Sequence, residues 1–160
     1  MKRKKVGLVL GRFNPLHVGH IYLMEKAFQE NNQVVVCIGS AQEKGPLPVK
    51  ERRRRVEKQL KILGRKNYRI VELIDPQPMK IWVSYMKDKC KISNLTDNTF
   101  YRCVNDFEEY KPELRKLGFK ISIPPKIDFY YRAPDKQYYK VHSATQIKNI
   151  HKKLHAWNQL

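Results

Sequence analysis

Val6 to Leu10 form an unbroken apolar run that ends at Gly11, the pattern of a short buried strand. Gly11 and Pro15 break it, and from His17 onward Leu23, Ala27 and Phe28 fall at helical spacing, which predicts strand, tight loop and helix in succession. Gln33 to Ile38 repeat the buried-strand pattern and stop at the small-residue turn Gly39-Ser40-Ala41-Gln42. A loop at Gly45-Pro46-Leu47-Pro48 leads into Val49, Val56, Leu60 and Leu63, whose spacing predicts a helix with its apolar stripe turned inward. Most of the arginines in Glu51 to Arg55 then read as a solvated face. Tyr68 to Ile74 predict a third strand closed by Asp75-Pro76-Gln77-Pro78, and Ile81-Trp82-Val83-Ser84-Tyr85 begin another helix.

The pattern weakens from Lys91 to Lys120. Ile92 to Leu95 make a poor strand, and Thr96-Asp97-Asn98 read as a loop. Phe107 to Leu117 predict a helix stopped by Gly118 and shortened at its front by Pro112, and Phe119 to Ile123 a further strand. Residues 124 to 140 hold Phe129, Tyr130, Tyr131, Tyr138 and Tyr139 and leave three roles open: an aromatic hairpin, a lid or a contact in a homo-oligomer. Ile147, Ile150, Leu154 and Trp157 then mark a last helix, for which Ser143 is a natural N-cap with Thr145 in the first turn. Apolar strands alternating with helical stripes indicate an α/β fold, a doubly wound parallel sheet with helices on both faces.

Composition adds bounds. A chain of 160 residues suits one domain with its own core, taken here as 1–160. The basic run Lys2 to Lys5 precedes an apolar run that Gly11 ends far too early for a signal core or membrane span, so no membrane partner and a cytoplasmic location are expected. Cys37, Cys90 and Cys103 show no pairing by spacing and read as reduced thiols. The formal net charge of +18 exceeds what a nucleotide pocket needs. It keeps nucleic acid open as a partner, although neither an aromatic RNA-binding signature nor a helix-turn-helix pattern accompanies it.

The chemistry concentrates in Gly11-Arg12-Phe13-Asn14-Pro15-Leu16-His17-Val18-Gly19-His20. A helix beginning just above a strand offers unpaired N–H groups and the positive end of its dipole, which is where an anion such as phosphate binds. His17 and His20, three apart, project on one side of the first turn, and Gly19 allows close approach to the backbone. Polar packing and half of a zinc site are the alternatives. Zinc needs further ligands, and with no Cys-x-x-Cys and with His142, His151 and His155 remote in sequence, no resident metal site is expected.

Gly11-Arg12-Phe13 with His17-x-Gly19-His20 resembles the signature of the nucleotidylyltransferase superfamily. Asn14-Pro15 and the spacing resemble in particular its nicotinamide-nucleotide adenylyltransferases of archaeal type. The resemblance implies ATP and nicotinamide mononucleotide as substrates, Mg2+ with the triphosphate, and NAD and pyrophosphate as products. It implies catalytic roles for His17, His20, Arg12 and Lys148, the last in Ser143-x-Thr145-x-x-Lys148, where arginine is more usual. It also implies nucleotide contacts from Gly11, Phe13, Gly19, Ser40, Gln42, Arg52, Ser143 and Thr145, and stacking of Trp82 on the nicotinamide ring. Another nucleotidylyltransferase with a different phosphate acceptor, and a basic nucleic-acid-binding protein that keeps a nucleotide pocket, are the rival readings.

Overall fold

A computed structural model describes residues 1–75, 78–102 and 108–160. Its strands β1 (Lys5–Gly11), β2 (Gln33–Ile38), β3 (Tyr68–Glu72), β4 (Asp97–Tyr101) and β5 (Phe119–Ser122) form one parallel sheet in the order β3-β2-β1-β4-β5. Helices α1 (Val18–Glu30), α2 (Val49–Ile62), α3 (Met79–Lys89) and α4 (Lys111–Lys116) follow strands one to four. The chain winds outward from β1 to β3 and returns to build β4 and β5 on the other side. A crevice therefore opens where the connections from β1 and β4 part, above the carboxyl ends of both. This is the Rossmann-like, doubly wound sheet that the hydrophobic pattern predicts.

Two cores follow from the period-two alternation of buried strands. Val6, Leu8, Leu10, Val35 and Cys37 face Val83 and Met86 of α3 and Leu114 of α4. Val9, Val34, Val36 and Ile38 face Leu23, Met24 and Ala27 of α1 and Val56 and Leu60 of α2. Each such aliphatic side chain contributes about 2 kcal/mol on burial, so both faces of β1 and β2 hold the sheet in register.

Three predicted segments differ. β4 begins at Asp97, so the loop expected at Thr96-Asp97-Asn98 stops at Thr96, and Asp97 and Asn98 enter the sheet at its amino edge, opposite the crevice. Their polar character hid the strand. Asn98 is buried there because its amide donates to Ser93 O at 2.9 Å and accepts from Thr96 Oγ1 at 2.6 Å. The helix expected from Phe107 is a 3-10 turn at Glu108–Tyr110 followed by α4, with Pro112 in its first turn and Gly118, at φ +82°, closing it; Phe107 lies outside the described residues. Cys37 and Cys90, unpaired by spacing, are both buried thiols with sulfurs 3.2 Å apart.

Of the roles left open for the aromatic segment, the structure contains the hairpin. β6 (Phe129–Arg132) pairs antiparallel with β7 (Tyr138–Val141) outside the main sheet. Its inner face is tied down: Phe129 stacks on His17 with centroids 5.2 Å apart, and the Tyr131 hydroxyl donates to Nε2 of the buried His151 at 2.6 Å. His151 Nδ1 in turn donates to Ala156 O at 2.8 Å, which leaves Nε2 as the acceptor. His151 belongs to α5 (Ala144–Lys153), so the hairpin is anchored to the last helix as well as to the crevice.

Candidate active site

Because Gly11 and Pro15 stop β1, α1 starts over the crevice and needs a cap. His17 supplies it with an imidazole in place of the usual hydroxyl or carboxylate. The Gly19 N–H donates to His17 Nδ1 at 3.1 Å, and the His17 N–H donates to His20 Nδ1 at 3.3 Å, a reciprocal capping box. With both Nδ1 atoms accepting, each neutral ring carries its proton on Nε2. Burial, reinforced by the charge of Lys126, lowers His17 from its usual 6.5 to about 4. Burial also holds His20 well below the usual value, helped by His17 and Arg102. At neutral pH the pair therefore consists of two uncharged N–H donors at a helix amino terminus.

Gly19 lines the cleft, and its missing side chain also has a structural purpose. A Cβ there would lie 2.9 Å from His17 Cε1, so the missing side chain makes room for the capping ring. Phe13 corrects its expected role. At φ +51° it folds back fully buried, edge-on to His20 at 4.9 Å, and its ring occupies the space that a side chain on Gly11 would need. It supports His20 from below rather than meeting a ligand.

Arg52 is the arginine of the basic run that turns inward, in step with Val56 and Leu60 at successive intervals of four. It is completely buried and does not line the cleft described below. Its guanidinium donates to Arg12 O at 3.0 Å, Gly39 O at 2.9 Å and Ser40 O at 2.8 Å, with a longer contact to Glu43 O at 3.4 Å. Asn14 makes a parallel tie, donating to Gly45 O at 3.3 Å and accepting from Leu47 N at 3.0 Å. The loops after β1 and β2 are thereby joined into one unit beneath Arg12.

The second element arrives from the far end of the chain. Ser143 caps α5, accepting from Gln146 N at 3.3 Å, and Ser143 and Ala144 line the crevice opposite the histidines. Thr145 is exposed and lies off this wall. Lys148, one turn on, is half-buried; its pKa is lowered by burial and then by the Arg12 charge, with Glu43 opposing and Arg52 adding to the decrease. Arg12, Lys148 and the buried Arg52 are thus a cation cluster balanced in part by Glu43, which lies 3.9 Å from Arg12.

Between the two helix starts is a cleft of about 170 Å³. Among the described residues its wall carries Arg12, Arg102 and Lys126 together with His17, His20 and His142, and no carboxylate. Sequence reasoning missed Arg102, Lys126 and His142. Arg102 directly follows β4, and recognising that strand would have placed an arginine at the carboxyl edge of the sheet.

Ser40, Gln42 and Trp82 do not line this cleft; they gather around Asp75, a residue the sequence did not single out. Asp75 Oδ2 accepts from the Ser40 N–H at 2.6 Å and from its hydroxyl at 3.1 Å, Oδ1 accepts from the Trp82 indole at 2.7 Å, and the Asp75 N–H donates to Gln42 at 3.0 Å. Trp82 is only 4% exposed, with Tyr110 against it at 4.9 Å. It is a core residue here and presents no open ring to a ligand, because Asp75 and the α3 packing use the indole already.

Among the described residues no group of three or more His, Cys, Asp or Glu is placed to hold a metal ion, and no helix is long and apolar enough to cross a membrane. A cationic cleft with no carboxylate among its described lining residues, framed by two helix amino termini, is shaped for a polyanion such as a triphosphate.

Comparison with known proteins agrees with that chemistry. Nicotinamide-nucleotide adenylyltransferase of Thermoplasma acidophilum is 29% identical over 122 residues, which span 72% of this chain and 67% of that protein. The enzyme of the same name from Pyrococcus abyssi is 37% identical over 86 residues, spanning 51% of this chain and 46% of its own length. The chain thus matches about half of the length of most such relatives. Among solved structures, a bifunctional NMN adenylyltransferase/ADP ribose pyrophosphatase from Francisella tularensis superposes with a TM-score of 0.70 at 20% identity, covering 91% of this chain and 41% of that one. A putative nicotinate-nucleotide adenylyltransferase from Vibrio parahaemolyticus gives 0.59 at 17%, covering 94% and 88%. At these identities the two structures attest the fold. The cytidylyltransferase-like family model matches residues 8–150, a span that contains both helix starts and the sheet between them, and the chain belongs to that family.

Proposed function

We propose that residues 1–160 act as a single nucleotidylyltransferase domain that transfers the AMP moiety of ATP to nicotinamide mononucleotide. The observation that carries this reading is the stacked, uncharged His17–His20 pair capping α1 across the cleft from the start of α5. A phosphate oxygen of the acceptor attacks the α-phosphorus of ATP. The bond from that phosphorus to the bridging oxygen of the β-phosphate breaks, and pyrophosphate leaves with the electron pair. Charge grows on the α-phosphate oxygens and on the leaving group, where fixed N–H donors lower the barrier without reorganising. His17 and His20 are assigned to the α- and β-phosphates, and Arg12, Lys148 and Ser143 to the departing pyrophosphate. Arg52 holds the loop that positions Arg12.

Nucleotidyltransferases of this family generally act with a divalent metal ion. We assign Mg2+, carried on the triphosphate as part of the MgATP substrate, in keeping with its preference for phosphate oxygens and water over an all-protein cage. The choice of nicotinamide mononucleotide follows the named relatives. The buried indole of Trp82 is already bonded to Asp75, so the acceptor is the part to test against alternatives.

Pyrophosphate release measured with ATP across a panel of phosphate acceptors tests both parts. Nicotinamide mononucleotide is expected to be the best acceptor, and His20→Ala to lower turnover roughly a hundredfold, the scale for losing one transition-state donor. Release from a different acceptor alone would reassign the substrate. Unchanged turnover in His20→Ala would remove the mechanism.

A further inference from the structure

The hairpin has two faces with different fates. Phe129, Tyr131, Tyr139 and Val141 turn toward the body, where Phe129 and Tyr131 have the partners described above. Tyr130, Arg132, Tyr138 and Lys140 turn to solvent. The register pairs Tyr130 with Lys140 and Tyr138 with Arg132, so aromatic and cationic side chains alternate in a two-by-two pattern. Directly paired residues lie about 5 Å apart at Cβ and diagonal ones about 7 Å apart, close enough to act as one surface.

Tyr130 is 71% exposed and Tyr138 65%, the two most exposed tyrosines among the described residues. Exposed lysine and arginine on an isolated strand pair need no special account, because such charges discourage edge pairing. Two tyrosines left open to water beside them do need one. Arg132 has no ion-pair partner among the described residues, and Lys140 meets only Asp128 at 3.6 Å, a solvent-exposed contact that contributes little. Asp135 is occupied by the Tyr139 hydroxyl and the Gln137 N–H. Residues 124–160 as a whole carry seven lysines and arginines against two carboxylates, within a chain of net charge +18.

We propose that this outward face binds single-stranded nucleic acid, with Tyr130 and Tyr138 stacking on unpaired bases while Arg132 and Lys140 meet the intervening phosphates. Flat rings and a repeating negative charge are both required to satisfy such a pattern, and a single strand offers both, whereas a duplex hides its base faces. Lys136 continues the cationic surface past Arg132 at the hairpin turn, and Lys126, at the opposite end, continues it to the cleft wall. The surplus positive charge that phosphate chemistry in the cleft does not use thereby gains a role. This inference is independent of the proposed activity, because none of the four outward side chains lines the cleft.

The test uses the full chain and a fluorescein-labelled oligouridylate of about twelve nucleotides, with binding read by anisotropy. Affinity is expected to fall steeply between about 50 and about 200 mM salt. The Tyr130→Ser/Tyr138→Ser variant is expected to bind at least about tenfold more weakly with an unchanged unfolding midpoint, and Arg132→Ala/Lys140→Ala to flatten the salt dependence. An abasic strand of the same charge is expected to bind the wild type no better than oligouridylate binds the tyrosine variant. Three results would overturn the proposal: no binding at the lower salt, equal binding by the tyrosine variant or of the abasic strand, or a wild-type dimer that sedimentation shows the tyrosine variant to dissolve. The last would make the face a contact between copies of this chain.

Discussion

The imidazoles of His17 and His20 stack with centroids 3.7 Å apart and planes inclined by 24°. Two protonated rings could not hold that spacing, so the stack is a property of the neutral pair, and the backbone bonds to both Nδ1 atoms keep it neutral.

Stability should therefore fall in mild acid. The unfolded chain protonates His17 near its ordinary 6.5, whereas the folded chain does so only near 4. Between those values the unfolded state binds more protons, and stability decreases as pH falls, by about 3 kcal/mol across the window for His17, with His20 acting in the same direction. Above about pH 6.5 neither state is protonated and the effect vanishes. Urea midpoints for wild type and His17→Asn, which keeps a capping side chain but does not titrate, should converge in their pH dependence above 6.5 and diverge below it. Parallel curves throughout would contradict the neutral-pair assignment.

Gly19→Ala should separate chemistry from stability. The new methyl group would press on His17 Cε1 at 2.9 Å and push the capping ring away from Nδ1···H–N geometry, while α1 itself gains a better helix former. A loss of kcat of about tenfold or more with a melting temperature changed by only a few degrees is the expected outcome. The reverse split, an unfolded protein or an unaffected kcat, would show that His17 placement does not depend on that space.

Arg52→Met should be among the most destabilising single changes. It would leave the carbonyls of Arg12, Gly39 and Ser40 without their buried donor, at a cost of about 3 kcal/mol or more in denaturant unfolding. Arg52→Lys should recover little of this, because an ammonium cannot span carbonyls from two loops as the planar fork does. Full recovery by lysine would mean that charge, not geometry, is what the position requires.

Lys148→Ala should weaken ATP more than it alters folding. Its charge stands beside Arg12 with Glu43 as partial counterion, and a phosphate would relieve the repulsion that lowers its pKa. An increase in KM for ATP of about tenfold, largely restored by Lys148→Arg, is expected from loss of one charged phosphate contact. An unchanged KM would place the outer phosphates elsewhere along the cleft.

Local patterning was enough to read β1, the loop after it, α1 and the cap at Ser143, because each is written in contiguous residues with strong periodicity or a clear break. β4 escaped because Asp97, Asn98 and Thr99 are polar, and the burial of Asn98 is offset by hydrogen bonds that no hydrophobic period records. Arg102 was lost with it. The alternation within residues 124–141 shows individual aromatics, but Tyr130 and Tyr138 become neighbours only when the hairpin closes.

The sequence by itself determined the strand-loop-helix unit bearing His17 and His20, the second helix start at Ser143, and through their resemblance the family. Tertiary structure alone decided which side chains share a space. Arg52 and not another arginine turns inward, Trp82 and Ser40 bind Asp75 instead of the cleft, and Arg102 and Lys126 join the histidines. The reason is physical: backbone periodicity is set by near neighbours, whereas the partners of a buried polar group are chosen by which distant segments the sheet order brings within a hydrogen bond of it.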